Sequence, residues 1–79
     1  MTLELTIRQL VADKLCVDLE KVTLEARLVE DLGADSLDGT ELMIVLEEKF
    51  DLVIQDGEAK AMRTVGDIIK FLQSKGIPE

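Results

Sequence analysis

Apolar residues recur at helical spacing in separate segments of the chain, and this periodicity constrains the fold more than any other feature of the sequence. The first predicted helix spans residues 3–16 and begins after Thr2, a favoured capping residue. Its apolar face is formed by Ile7, Leu10, Val11 and Leu15. A second helix is predicted from Ser36 to Phe50, because Asp35 can cap its start.

The remaining segments complete a helical bundle. Residues 17–35 lose helical periodicity, yet apolar residues at intervals predict that this long connection packs on the core: Val22, Leu24, Leu28 and Leu32. A short helix is predicted over residues 58–62, and a last helix opens at Thr64 and ends before Gly76. The 79 residues suffice for a single domain, residues 1–79. The predicted fold class is all-α, a small bundle of three longer helices plus one short helix with a long first loop.

The core must consist mainly of aliphatic side chains, since the chain has two Phe and neither Trp nor Tyr. The one cysteine, Cys16, cannot form an internal disulfide and fits a reducing compartment; we expect it to be half-buried. The N-terminal sequence lacks the basic flank and apolar run of a signal peptide, and no segment has the length and apolarity of a membrane span. A cytoplasmic protein is therefore expected.

The net charge of −8 is concentrated in the middle of the chain. Residues 25–58 contain eleven acids and two bases, whereas the flanking segments are close to neutral. A phosphate backbone attracts the opposite sign of charge, so nucleic acid is excluded as a partner. The acidic block favours basic protein surfaces, or it serves only to keep the chain in solution.

The available residue types exclude most catalytic and metal sites. Because the chain has no histidine, it can form neither a Ser-His-Asp arrangement nor, with one cysteine, the usual zinc ligand sets. A calcium loop that began at Asp31 would require an acid or amide at its third position and glycine at its sixth. Gly33 and Ser36 occupy those positions. We therefore expect neither an enzyme nor a metal site.

The second helix carries two apolar residues on the side away from its apolar stripe. On a helical wheel, Leu37 and Ile44 project among the acids of this helix. Apolar residues with a charged rim are typical of protein interfaces. The pattern favours a docking surface, although isolated exposed aliphatic residues are also common in proteins without one.

Ser36 stands at the start of the second helix, directly after a glycine-containing turn. Serine at a helix start is most often an N-cap, which is one interpretation of this residue. In the other interpretation its exposed hydroxyl is a modification site, where a phosphodiester would lie near the positive end of the helix dipole. Position alone leaves both interpretations open.

The sequence around this serine is distinctive. Residues 31–38 read Asp-Leu-Gly-Ala-Asp-Ser-Leu-Asp, and they are followed by Glu41-Leu42 and by Leu-Glu-Glu-Lys-Phe at residues 46–50. Thr-Val-Gly-Asp at residues 64–67 opens the last helix. Together these motifs resemble the acyl carrier proteins of type II fatty acid synthesis, over the whole length of the chain.

The resemblance implies a carrier without catalytic activity of its own. In this family a phosphopantetheinyl transferase moves 4'-phosphopantetheine from coenzyme A onto the serine that corresponds to Ser36. The thiol of this group carries growing acyl chains as thioesters and delivers them to fatty acid synthesis enzymes. The resemblance also implies a monomer in the bacterial cytoplasm.

Two further sets of residues receive roles through the resemblance. The surface that docks onto basic patches of partner enzymes falls on Asp35, Leu37, Asp38, Glu41, Ile44, Glu47 and Glu48. The pocket for the acyl chain, folded back into the bundle, falls on Ile7, Leu28, Leu42, Leu46, Ile54, Met62, Ile68 and Leu72. Gly39, one turn from Ser36, is predicted to widen the entrance to this pocket.

Two alternative functions remain open. A specialised carrier for a dedicated lipid, polyketide or peptide pathway would use the same attachment chemistry. A helical adaptor without a cofactor would use only the surface around Leu37 and Ile44. The mass of the protein after exposure to a phosphopantetheinyl transferase distinguishes an adaptor from a carrier.

Overall fold

The computed structural model describes residues 2–79, and this part of the chain forms four α-helices. They are α1 (Leu3–Leu15), α2 (Ser36–Phe50), α3 (Asp56–Ala61) and α4 (Val65–Ser74). A 3₁₀ turn at Leu19–Lys21 lies within the long loop between α1 and α2. Three longer helices, one short helix and a long first loop confirm the predicted architecture. None of the helices described is long and apolar enough to cross a membrane.

Side-chain caps determine where the first and last helices begin. The hydroxyl of Thr2 accepts a hydrogen bond from the Leu5 amide at 3.1 Å, as the sequence predicted for α1. At the start of α4, the Thr64 hydroxyl accepts from the Asp67 amide and the Asp67 carboxylate accepts from the Thr64 amide, both at 3.1 Å. This reciprocal pair satisfies two amides that the helix itself leaves without acceptors.

The short helix α3 begins two residues earlier than the sequence predicted. The Glu58 carboxylate accepts a hydrogen bond from the Gln55 amide at 3.1 Å, which places the cap at Gln55. Asp56 and Gly57 therefore belong to the first turn of α3 and do not form a separate turn before it. None of the residues in this six-residue helix is buried, so α3 lies on the surface of the bundle.

The apolar faces of α1, α2 and α4 meet in an aliphatic core. Its largest fully buried side chains are Ile7, Val11, Val22, Leu42, Leu46, Val65, Ile68 and Leu72. The expectation that Cys16 is half-buried is wrong, because Cys16 is exposed. It is the C-cap of α1 and adopts a left-handed conformation with φ 57°, so the chain has already turned out of the helix there.

The long loop is fixed at its start by Arg8 of α1. The guanidinium of Arg8 donates to the carbonyl oxygens of Val22 at 2.6 Å and Leu19 at 3.2 Å. The bond to Val22 satisfies a loop carbonyl outside the helices, and the bond to Leu19 adds to the one that this carbonyl already accepts from the Val22 amide in the 3₁₀ turn. They hold the first part of the loop against α1, which lets Val22 reach the core.

The later part of the loop is clamped to the start of α4 by three backbone hydrogen bonds. Gly66 donates to Leu24 at 2.8 Å, Val65 donates to Ala26 at 3.2 Å, and Leu28 donates to Arg63 at 2.9 Å. We call these three bonds the loop clamp. Leu28 and Leu32 are buried, as predicted, but Leu24 is exposed. The backbone carbonyl of Leu24 serves the clamp while its side chain faces outward.

Gly66→Ala is expected to destabilise the fold, because a Cβ at residue 66 would lie 3.0 Å from the carbonyl oxygen of Leu24. The new Cβ is fixed by the backbone of residue 66, and the atom that it meets is a backbone oxygen. The contact can therefore be relieved only if the loop clamp shifts. Overpacking of this kind costs about 1–3 kcal/mol. Urea unfolding followed by circular dichroism measures the loss.

Gly57→Ala is the matched control, since a Cβ at residue 57 would meet no atom within 4 Å. This control should keep the stability of the parent or gain slightly from the better helix propensity of alanine. Equal stability of Gly66→Ala and the parent would contradict the structural role of the close approach.

The capping box of α4 also predicts how stability depends on pH. Burial raises the pKa of Asp67, but hydrogen bonds from the Thr64 and Arg63 amides outweigh it and leave the pKa below its ordinary value. A carboxyl whose pKa is lowered by folding adds stability above its unfolded pKa, which is about 3.9. That contribution is lost as the pH falls through the lower, folded value.

We expect the free energy of unfolding to decline below about pH 4, and Asp67→Asn to make this decline shallower. Urea midpoints at neutral pH and at about pH 3 measure it. Asp18→Asn is a suitable control, because the Asp18 side chain makes no capping hydrogen bond. If the free energy of unfolding of Asp67→Asn fell as steeply with pH as that of the parent, the contribution of this carboxylate would be refuted.

Candidate functional site

Ser36 is the first residue of α2, and its hydroxyl is free. The cap is Asp35, whose carboxylate accepts from the Asp38 amide at 2.8 Å, while the Asp38 carboxylate accepts from the Asp35 amide at 3.2 Å. Ser36 is exposed, and its hydroxyl has no hydrogen-bond partner within residues 2–79. The interpretation of Ser36 as an N-cap is therefore wrong, because Asp35 performs that role.

The backbone that carries Ser36 is held firmly. Ala34, two residues earlier, is buried, and its amide donates to the Leu28 carbonyl at 2.9 Å. On the helix side, the Thr40 hydroxyl donates to the Ser36 carbonyl at 3.0 Å. Gly33 has φ 75°, a conformation that favours glycine and lets the chain turn sharply into α2. A fixed backbone with a free hydroxyl suits attachment of a group that must remain accessible.

An ion pair stabilises the turn that precedes the serine. The Arg27 guanidinium donates to the Asp31 carboxylate at 3.1 Å and 3.2 Å, and the Arg27 amide donates to it at 2.8 Å. The side-chain hydrogen bond from Arg27 lowers the pKa of Asp31, and the same bond raises the pKa of Arg27. Both groups are open to solvent, so we assign this pair a role in the shape of the turn and not in chemistry.

An open groove begins beside Ser36 and runs between α2 and the α3 segment. Its volume is about 750 Å³. The residues that line it come from the end of the loop, from α2 and from residues 56–63: Leu28, Val29, Glu30, Ala34, Asp35, Ser36, Gly39, Thr40, Met43, Asp56, Ala59, Lys60, Met62 and Arg63. Most of its walls are apolar, and charged residues occupy part of its lining.

Two cations in this groove have no carboxylate partner. Lys60 and Arg63 line the α3 side, and within the described residues neither lies within 4.0 Å of an acid. Glu30, which also lines the groove, is paired with Arg27 at 3.8 Å. Free cations in the same groove as the Ser36 hydroxyl suit a phosphate ester at that position. No cluster of acids and cysteine in residues 2–79 is arranged to hold a metal ion.

The predicted docking surface lies on the outer side of α2. Leu37 is 65% exposed and Ile44 is 48% exposed, and Glu48 is also exposed. Residues 37, 41, 44 and 48 follow helical spacing along one stripe of the helix. The stripe thus offers apolar side chains and carboxylates together to a partner.

Several of the predicted docking acids also have partners within the chain. The Glu47 carboxylate accepts from the Ile54 amide at 2.8 Å, which ties α2 to the loop before α3. Glu41 pairs with Lys14 of α1 at 3.8 Å. Asp35 and Asp38 form the capping box already described. Glu48 makes none of these contacts, so its charge is the most available to a partner.

The predicted acyl-pocket residues fall into three groups. The structure brings two of them, Leu28 and Met62, to the groove beside Ser36. Five others are fully buried in the packed core: Ile7, Leu42, Leu46, Ile68 and Leu72. Ile54 is half-buried between α2 and α3. The groove and the core therefore meet along Leu28 and Met62, which are themselves buried.

Sequence reasoning missed several residues of the groove, namely Thr40, Met43, Ala59, Lys60 and Arg63. Met43 is half-buried and lines the groove. Lys60 and Arg63 carried a usable signal, because they are the first bases after the acidic block. Their position in the same groove as Ser36 depends on how the chain folds back after α2.

Comparisons with known proteins agree with this architecture. Residues 6–72 match the family described as "Phosphopantetheine attachment site". The chain is 45% identical over 75 residues to acyl carrier proteins of Chlamydia trachomatis serovars D and A, and the alignments cover 95% of this chain and 97% of theirs. A solved structure from Mycobacterium tuberculosis, assigned as an acyl carrier protein, superposes with a TM-score of 0.84 at 33% identity. That superposition covers 91% of this chain and 96% of the other.

The family match spans most of the chain, and the fold is that of the solved acyl carrier protein structure to which it is similar. The function of this chain is to carry acyl groups, as a carrier and not as a catalyst. The chain belongs to the acyl carrier protein family, whose members carry their cargo on a covalently attached 4'-phosphopantetheine.

Proposed function

We propose that Ser36 is the residue to which 4'-phosphopantetheine is attached, and that residues 1–79 act as a single carrier domain. The observation that carries this proposal is the free hydroxyl of Ser36 beside an Asp35 cap. A serine that capped the helix would lose its hydrogen bond on modification, whereas Ser36 has no such bond to lose. The family match over residues 6–72 includes this position and supports the assignment.

The residues around Ser36 would hold the phosphate end of the group. When bound, 4'-phosphopantetheine supplies a thiol that carries acyl groups as thioesters. Lys60 and Arg63 offer positive charge from the groove, and the first turn of α2 adds the positive end of the helix dipole. Asp35 and Asp38 oppose this attraction. The balance favours weak retention of the phosphate, which leaves the group free to reach a partner.

The partners that we propose are a phosphopantetheinyl transferase and the fatty acid synthesis enzymes, each with a basic patch that meets the outer side of α2. Leu37 and Ile44 would anchor the contact because they are exposed apolar side chains. Glu48 would contribute most to steering, since the other acids of the surface also serve the fold. Charge complementarity of this kind speeds encounter and is weakened by salt.

We propose that the protein performs this function as a monomer and in the bacterial cytoplasm. The docking surface must be free to meet each enzyme in turn, and a net charge of −8 opposes self-association. The Chlamydia and Mycobacterium relatives named above are bacterial proteins, which supports this setting. Coenzyme A and its transferase, which the attachment needs, would have to share the compartment.

The Ser36→Ala variant should fail to gain mass when incubated with coenzyme A and a phosphopantetheinyl transferase. The parent should gain the mass of one phosphopantetheinyl group, measured by intact-protein mass spectrometry. Ser74→Ala is the matched control, because Ser74 is the other serine of the chain and lies at the far end of α4. Since Asp35 and not Ser36 caps α2, circular dichroism should show Ser36→Ala folded. A Ser36→Ala protein that still gained the mass would disprove the assignment.

Glu48→Lys should slow loading by the transferase several-fold at low salt, and the difference from the parent should shrink as salt is added. The initial rate at limiting carrier concentration, followed by mass spectrometry, measures this effect. Glu20→Lys changes the net charge by the same amount at an exposed residue of the 3₁₀ turn, outside α2. If both variants slowed loading equally, net charge and not the α2 surface would govern docking.

A further inference from the structure

Gly39 is a glycine inside a helix for which the fold gives no reason. A helix with glycine in its interior is less stable than one with alanine there, because glycine loses more backbone freedom on folding. Gly33 and Gly76 have φ 75° and φ 90°, where other residues would be strained. Gly66 makes the close approach to Leu24 in the loop clamp. Gly39 and Gly57 have neither feature, since both are helical and an added Cβ would meet no atom within 4 Å. Of these two, Gly39 alone lines the groove, whereas Gly57 lies in the first turn of the exposed helix α3.

The space next to Gly39 belongs to the groove. Gly39 lines it three residues after Ser36, between that residue and Met43 on the same helix. The opposite wall is formed by Ala59 and Met62. A side chain at residue 39 would therefore project into the groove and narrow it beside the attachment residue.

The walls near Gly39 are suited to an aliphatic ligand. Met43 and Met62 have flexible, unbranched side chains, which adapt to ligands of different shape. Ala59 is small, and Leu28 adds a branched aliphatic surface from the loop. A ligand attached to Ser36 would be tethered beside this surface, so its effective concentration there would be high.

We propose that Gly39 is a specificity-determining residue, which keeps the groove wide enough for the acyl thioester to lie between α2 and α3. The inference rests on the proposed attachment at Ser36. The occupant is the carrier's own aliphatic cargo, and the absence of a side chain at residue 39 leaves room for that cargo at a cost in helix stability. Two consequences distinguish this role from a structural one.

The first consequence concerns the protein before attachment. Gly39→Ala should raise the melting temperature of the unmodified protein by about 3–6 °C, because the helix gains a better former and no contact is lost. Differential scanning calorimetry measures this shift. A lower melting temperature would show that the fold itself requires glycine at residue 39, and it would overturn the proposal.

The second consequence concerns the loaded protein. We would load the parent, Gly39→Leu and Lys49→Leu with an octanoyl thioester and measure the rate at which hydroxylamine cleaves it, with octanoyl-coenzyme A as the free reference. The parent should be cleaved several-fold more slowly than the reference, because the groove shields the thioester. Gly39→Leu should approach the reference rate, whereas Lys49→Leu adds a leucine on exposed α2 surface outside the groove and should keep the protection.

Each outcome bears on one proposal only. Failure of the parent to accept the phosphopantetheinyl group would refute the attachment at Ser36, and mass spectrometry detects this before any cleavage is measured. A loaded parent that is cleaved as fast as octanoyl-coenzyme A would refute the inference on Gly39. Equal protection of the thioester in the parent and Gly39→Leu would also refute it, because the cargo would then still bind in a groove that the leucine side chain occupies.

Discussion

The loop clamp, three backbone hydrogen bonds between residues 24–28 and residues 63–66, is the constraint on which the rest of the architecture depends. A loop as long as residues 17–35 leaves many backbone groups without partners, and exposed disorder would be its default state. The clamp pairs the loop with the start of α4 and brings Leu28 into the core. Because the Leu28 carbonyl then accepts the Ala34 amide, the clamp also fixes the turn from which α2 and Ser36 begin.

Some acids of α2 and its cap accept hydrogen bonds that stabilise the fold, whereas others expose their charge to solvent. Asp35 and Asp38 cap the helix, and Glu47 holds the Ile54 amide at 2.8 Å. These contacts set the direction of α2 and its connection to α3, which together define the groove. Because Asp35 caps the helix, the Ser36 hydroxyl is not needed for a capping hydrogen bond. Part of the acidic surface therefore supports the fold and helps to shape the groove beside Ser36.

The groove lies where the bundle is least tightly held. No residue within α3 is buried, and the helix is tied down by Met62 at its end and by the 3.2 Å ion pair between Glu58 and Lys75. Exposed ion pairs contribute little to stability. A wall with so few buried contacts can move at low cost in free energy, whereas the core formed by α1, α2 and α4 cannot. A small carrier can thus combine a stable core with one adaptable wall.

The sequence by itself determined the helices, the apolar face of α1, the Asp35 cap and the family, because each is recorded in local spacing or in a contiguous motif around Ser36. It also placed Leu37 and Ile44 correctly on the exposed side of α2. Only the tertiary structure decided that Leu24 contributes its backbone and not its side chain, that Glu47 serves a loop, and that Lys60 and Arg63 lie in the groove beside Ser36. The physical reason is that periodicity fixes which face of a helix a residue occupies. The neighbour that meets that face is set by how the loop is clamped to the start of α4 and how the chain folds back after α2, over separations that no local pattern encodes.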